Sequence, residues 1–210
     1  RIMARYTGPA CRLCRRAGEK LFLKGERCYT PRCAVEKRRR PPGDTGQRRR
    51  RLSEWGTQLR EKQKARQSYG VLERQFRGYF DTARKMPGVT GANLLQLLES
   101  RLDNVVYRLG FAGARQQARQ WVLHGHFTID DRKVSIPSYR VKPGQVVAWK
   151  ESSKAKGLFA EASRQLGQRP VPEWLSLDKN KMVGSVSRLP ESRDIDTLVD
   201  TRLIVEHYSR

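Results

Sequence analysis

The residues best placed to do chemistry are four cysteines, Cys11, Cys14, Cys28 and Cys33, spaced Cys-x2-Cys, thirteen residues, then Cys-x4-Cys. Two short-spaced pairs let two loops each present two thiolates to one tetrahedral ion, which is the spacing logic of a structural zinc site. Arg12, Arg15, Arg16, Arg27 and Arg32 surround them, and are expected to lower the thiol pKa values and offset the charge of a four-thiolate centre. The expected cofactor is one structural zinc ion, since four thiolates leave no open position for a catalytic water. Two disulfides and four unligated thiols remain the alternatives, the first requiring an oxidising compartment. Nothing at the N-terminus asks for one. Arg1 to Tyr6 carries basic residues with no apolar stretch behind them, so it does not read as a secretory signal, and Met3 reads as the natural start.

The rest of the composition explains why metal would be needed. Of the 210 residues, 44 are Lys or Arg and 21 are Asp or Glu, a formal net charge of +23. The excess is graded: +12 over residues 1–50, +4 over 51–100, +6 over 101–150 and +1 over 151–210. Only eight of the 46 Leu, Ile, Val and Phe residues fall in the first 60 positions, too few for an ordinary core. Zinc, contributing on the order of 10 kcal/mol, would replace it. A basic excess of this size calls for a polyanion, either nucleic acid or an anionic membrane. Nucleic acid is favoured, because no amphipathic helix pairs a Lys/Arg face with an aromatic one. No apolar segment approaches the ~20 residues that span a bilayer. The blocks Arg38-Arg39-Arg40 and Arg48-Arg49-Arg50-Arg51 flank a Pro/Gly linker and read as phosphate contacts, together with Arg12, Arg15 and Arg16.

Several elements must position these groups. Ser53 caps a helix that Gly70 stops. Leu72, Phe76, Tyr79, Phe80 and Ala83 make the apolar face of a second, with Arg74, Arg77 and Arg84 outside it. The Gly and Pro of residues 86–91 mark a domain boundary near Gly91. Leu94, Leu98, Leu102, Val105 and Leu109 fall on one face of a single long helix, and a further helix from Ala114 to His124 closes at Gly125. Residues 127–129, 133–136 and 146–149 read as short strands, with Asp130-Asp131 at a turn. That arrangement is expected to put Arg101, Arg108, Arg115 and Arg119 on the exposed side of a helix pair. Asp194, Asp196, Asp200 and Glu206 read as a solvated acidic face or a patch for a basic neighbour.

The run from Arg101 through Ala112, the segment His124-Gly125-His126 and the stretch from Ile136 to Gly144 resemble the small RNA-binding domain named after small-subunit ribosomal protein number four. Residues 59–64, Tyr69-Gly70-Val71, Gln75-Phe76-Arg77 and the C-terminal stretch from Arg169 are similar to the bacterial-type family of that ribosomal protein itself, as is the segment from Cys11 to Arg16. The resemblance implies a structural constituent of the small ribosomal subunit that binds a helix junction of 16S rRNA, nucleates assembly and influences decoding accuracy. It also implies contacts with ribosomal proteins number five and number three and with mRNA near its entrance, and, in some members, repression through their own mRNA. By carry-over, Arg101, Arg108, Arg115, Arg119, His124, Tyr139 and Lys142 contact RNA, and the four cysteines match a zinc-bearing subset.

The expected fold is α+β: an N-terminal zinc knuckle, a helical domain, and an RNA-binding domain of two helices on a short twisted antiparallel sheet. The expected partition is 1–45 for the zinc arm, 46–98 for the helical domain completed by 178–210, 99–165 for the RNA-binding domain, and 166–210 packing back on the helical domain. Asp130-Asp131 stands where the family usually has Asn-Gly, so a different turn is expected there, and Gln145 replaces a common Asp. No catalytic residues, small-molecule substrate or membrane partner are expected. The competing readings are an RNA-modifying enzyme and a zinc-dependent DNA-binding regulator carrying the same module. The expected location is a cytoplasmic ribosome, with an organellar one as the alternative.

Overall fold

The computed structural model describes residues 6–38, 40–43, 52–155, 157–167, 169–195 and 199–209. The chain divides into two compact units, residues 1–93 with 197–210, and residues 94–196. This partition differs from the expected one, because residues 175–186 belong to the sheet of the second unit and only the terminal helix joins the first.

In the first unit, α1 (Ala10–Ala17), a 3-10 turn (Gly25–Tyr29) and α2 (Ala34–Lys37) make up the cysteine-bearing arm. Its small apolar cluster holds Ala10, Cys14, Leu21 and Leu23, with Leu13, Ala17 and Val35 against it. Next comes α3 (Glu54–Ser68), where the Ser53 hydroxyl accepts from the Gly56 N–H at 3.2 Å, as the capping residue should. In α4 (Glu73–Lys85), Phe76, Phe80 and Ala83 are buried as expected, whereas Leu72 precedes the first turn and is exposed. The terminal helix α10 (Thr201–Ser209) packs on α3. Its Tyr208 ring lies 4.6 Å from Phe80 and 6.4 Å from Phe76, so the aromatic stripe of α4 is core.

Polar side chains also hold this unit together. Lys62 donates to Glu73 at 2.7 Å, Tyr208 donates to the same carboxylate at 2.8 Å, and Gln58 donates to Glu206 at 3.1 Å. Gln58, Lys62 and Lys64 are buried on α3, the two lysines with their stems covered and their ammonium groups paired.

Helix α5 (Thr90–Glu99) carries the chain into the second unit. Leu94, Leu98, Leu102, Val105 and Leu109 are all buried, yet the expected single helix is broken, with α6 running Leu102–Arg108. Arg101 adopts an extended backbone (φ −69, ψ 139) and bridges antiparallel to Arg140. The first N–H groups of α6 are then satisfied from outside the helix, Leu102 by the Tyr139 carbonyl at 2.8 Å and Asp103 by the Pro137 carbonyl at 3.2 Å.

Helix α7 (Arg115–Leu123) packs against α6 and ends at Gly125, whose φ of +71 suits glycine. Strands β1 (Phe127–Ile129), β2 (Arg132–Lys133) and β3 (Val146–Trp149) follow. The second is shorter than expected, residues 134–136 lying outside the ladder. After α8 (Glu151–Lys154) and α9 (Gly157–Gln165) come β4 (Leu175–Asp178) and β5 (Val183–Val186). Together these strands form an antiparallel five-stranded sheet ordered β2-β1-β3-β5-β4, with Val147 opposite both Ile129 and Gly184. Trp149, Trp174, Phe111 and Phe127 fill its core.

Candidate nucleic-acid interface

The four arginines expected on the exposed side of the helix pair are instead tied to buried carboxylates. Arg101 is fully buried, its Nε and Nη2 donating to Asp103 at 3.0 and 2.6 Å. Arg119 reaches the same carboxylate at 3.2 Å. Glu99, with only 1% of its side chain exposed, accepts from Arg108 Nε and Nη2 at 2.9 and 2.7 Å and from Asn104 at 2.6 Å. Arg115 donates to Asn104 at 2.7 Å and lies 3.9 Å from Glu99. Arg101 is therefore corrected from surface contact to internal scaffold. The side chains of Arg108, Arg115 and Arg119 stay 15%, 14% and 27% exposed. Arg169, which sequence reasoning missed, joins Arg115 over the Tyr107 ring, at 4.3 and 4.5 Å from its centroid.

The loops beside this network carry the other expected groups. His124 and Lys142 are exposed, and Tyr139 is half-buried. Arg132, Lys133 and Arg140 are exposed as well and were not singled out, although a two-residue strand with no apolar side chain is itself a sign of a solvent-facing basic edge. Asp130 and Asp131 take φ values of +47 and +62, so the expectation of a different turn is overturned. The left-handed backbone at Asp130 is held by its carboxylate, which accepts from the Val146 N–H at 2.9 Å and from Gln145 at 3.1 Å. Gln145 in turn donates to the Tyr139 hydroxyl at 3.1 Å and accepts from the Lys142 N–H at 2.9 Å. The two departures from the family pattern are thus bonded to each other. His126 is buried against Ser153 at 2.9 Å.

In the first unit, Arg12, Arg16, Arg38 and Arg40 are exposed and Arg15 is half-buried, donating to the Arg40 carbonyl at 3.0 Å. Arg74 and Arg77 are exposed on α4. Arg39, Arg48, Arg49, Arg50 and Arg51 lie outside the described residues. An open cleft of about 500 Å³ between α1 and α3 has Leu13, Ala17 and Leu59 in its lining and Arg16 and Arg60 beside them.

None of the four cysteines is in a disulfide, and three of them are buried. Burial pushes the Cys14 and Cys28 thiols up, and the other cysteines add to this, so at these two thiols the expected lowering by the surrounding arginines is not what prevails. That mutual effect does place the four thiols in one neighbourhood. The Leu21 N–H bonds to the Cys14 sulfur and the Lys24 N–H to the Cys28 sulfur, the latter at 3.4 Å, donors that suit thiolate ligands. Among the described residues, however, no three Cys, His, Asp or Glu side chains stand grouped as a metal site, so the structure does not itself show the expected zinc knuckle. Nor, among these residues, is any helix long and apolar enough to cross a membrane.

Of the acidic groups expected to form a solvated face near the C-terminus, Asp200 and Glu206 are exposed, Asp194 has its carboxylate covered, and Asp196 lies outside the described residues. Asp194 receives Arg188 at 2.8 Å and Glu206 receives Gln58.

Comparison with known proteins gives matches along the chain. Residues 5–99 match the ribosomal protein S4/S9 N-terminal domain, and residues 100–147 match the S4 domain. The small ribosomal subunit protein uS4 of Heliobacterium modesticaldum is 60% identical over 208 residues, 99% of this chain and all of that protein. Proteins of the same name from Acetivibrio thermocellus and Geobacter sp. strain M21 are 57% and 56% identical over the same span.

Proposed function

The chain belongs to the uS4 family of small ribosomal subunit proteins and has a structural ribosomal role, and from that premise we propose that it is a primary binder of 16S rRNA. In this reading it nucleates assembly of the subunit body in the cytoplasmic ribosome and influences translational accuracy. The observation that carries it is the likeness over the full length, joined to a preformed cationic surface. Around α6 and α7, four guanidiniums face two carboxylates, and Arg132, Lys133, Arg140 and Lys142 stand exposed on the neighbouring loops. RNA folded into junctions is recognised through phosphates, 2′-hydroxyls and shape, which asks for arginines fixed over a rigid surface more than for a base-reading helix.

The finer parts of the reading are proposals of the same kind. Ribosomal proteins number five and number three are its protein partners, and mRNA passes near it. Cys11, Cys14, Cys28 and Cys33 hold one structural zinc ion, supported by their spacing, their shared neighbourhood and the two N–H donors to sulfur. Bound there, zinc would staple the arm.

Chemical footprinting on small-subunit rRNA tests the reading. Protection is expected at a multi-helix junction of the 5′ domain, with part of it lost when a chelator removes one metal equivalent. Equal affinity for duplex DNA of the same length would sink the rRNA assignment, and a purified protein without metal but with intact disulfides would sink the zinc assignment.

A further inference from the structure

Resting on the rRNA reading, we infer that Glu99 and Asp103 are positioning residues, two buried carboxylates that fix the arginine fan of α6 and α7 in the geometry that receives phosphates. Neither contacts RNA. Buried carboxylates are a poor device for stability alone, since an apolar replacement of similar volume often serves as well. Here they are shared: Glu99 holds Arg108 by a two-point fork and draws in Arg115 through Asn104, while Asp103 holds Arg101 and Arg119. Arg108, Arg115 and Arg119 keep part of each side chain exposed, and the cluster remains net positive, with four guanidiniums against two carboxylates. An arginine already held loses little rotamer freedom when a phosphate arrives.

Charge and positioning predict opposite signs, which makes the inference testable. Changing Glu99 to Gln raises the net charge by one, so electrostatics alone predicts tighter RNA binding. Loss of the fork predicts weaker binding to a shaped target. The experiment measures affinity of the full chain for a synthetic multi-helix junction from the small-subunit 5′ domain and for an RNA duplex of equal length, across a range of salt. For Glu99→Gln, junction affinity is expected to fall about tenfold and the log–log salt slope to become shallower by about one, with duplex affinity unchanged or raised. Junction affinity equal to or above wild type, with the slope unchanged, overturns the inference. Should Glu99→Gln fail to fold by circular dichroism, Arg108→Lys decides, because it keeps the charge and removes the fork. The same loss supports positioning and full retention overturns it. A wild-type chain that does not prefer the junction overturns the rRNA reading itself, whereas a folded variant that matches a junction-preferring wild type overturns only the positioning role.

Discussion

Gly184 sits in β5 where a Cβ would lie 2.4 Å from Leu109 Cδ1 and 2.5 Å from Cδ2. Leu109 is itself 1% exposed and has nowhere to move. Gly184→Ala is therefore expected to destabilise the protein by about 1–3 kcal/mol, read as a lowered urea midpoint. The turn at Asp130 and Asp131 separates two adjacent residues of the same type. Both have positive φ, but only the Asp130 carboxylate accepts from Val146 and Gln145. Asp131→Gly relieves a left-handed strain of about 1–2 kcal/mol at some cost in chain entropy, and a net gain of roughly 0.5 kcal/mol is expected. Asp130→Gly relieves similar strain yet strands the Val146 N–H and loses a charge-assisted bond, so it is expected to lower stability by about 1 kcal/mol. The same denaturation series checks the opposite signs.

At the scale of elements, α3, α4 and α10 meet at one carboxylate. Burial opposes ionisation of Glu73, but hydrogen bonds from Lys62 and Tyr208 outweigh it and hold the group below its ordinary value of 4.5. Burial and the bond to Glu73 push the Tyr208 phenol well above its ordinary 10.0. The depressed carboxyl contributes stability that is present above pH 4.5 and is lost as pH falls through its lower folded value. The raised phenol contributes stability that is present below pH 10.0 and is lost as pH rises. With the Glu73 side chain 45% exposed, Glu73→Gln is expected to cost only about 1 kcal/mol at neutral pH. The gap from wild type, measured as melting temperature against pH, should close below pH 4.5. Periodicity found α3, α4 and α7 because capping by Ser53, the Phe76/Phe80 spacing and Gly125 are local signals. It missed the break at Arg101, whose extended backbone depends on pairing with Arg140, 39 residues away. It missed β4 and β5 as sheet members for the same reason. The arginines of the site were legible by type, but the acids that hold them were not: nothing local distinguishes a buried Glu99 from a solvated one.

Across the whole molecule, several carboxylates are turned inward to arginine or lysine, Glu99, Asp103 and Asp194 among them. The formal +23 is therefore less diluted at the surface than the count of 21 acids suggests. Neutralising about ten phosphates would give a log–log salt slope of roughly −7 to −9 for junction RNA. The two compact units allow that slope to be divided. Residues 1–50 carry 16 of the 44 basic residues, and the proposed zinc orders that arm. Chelation should therefore make the slope shallower by about 0.7–0.9 for each phosphate contact the arm loses, while the melting of the sheet-bearing unit, followed by tryptophan fluorescence from the buried Trp149 and Trp174, stays where it was. Arginines on a disordered arm still attract phosphates, but each must then lose its freedom on binding, so affinity at fixed salt should fall as well. A slope and an affinity both unchanged by chelator would mean that the arm meets no phosphate in the complex, and would move the rRNA contact wholly to the surface of α6, α7 and the loops beside them.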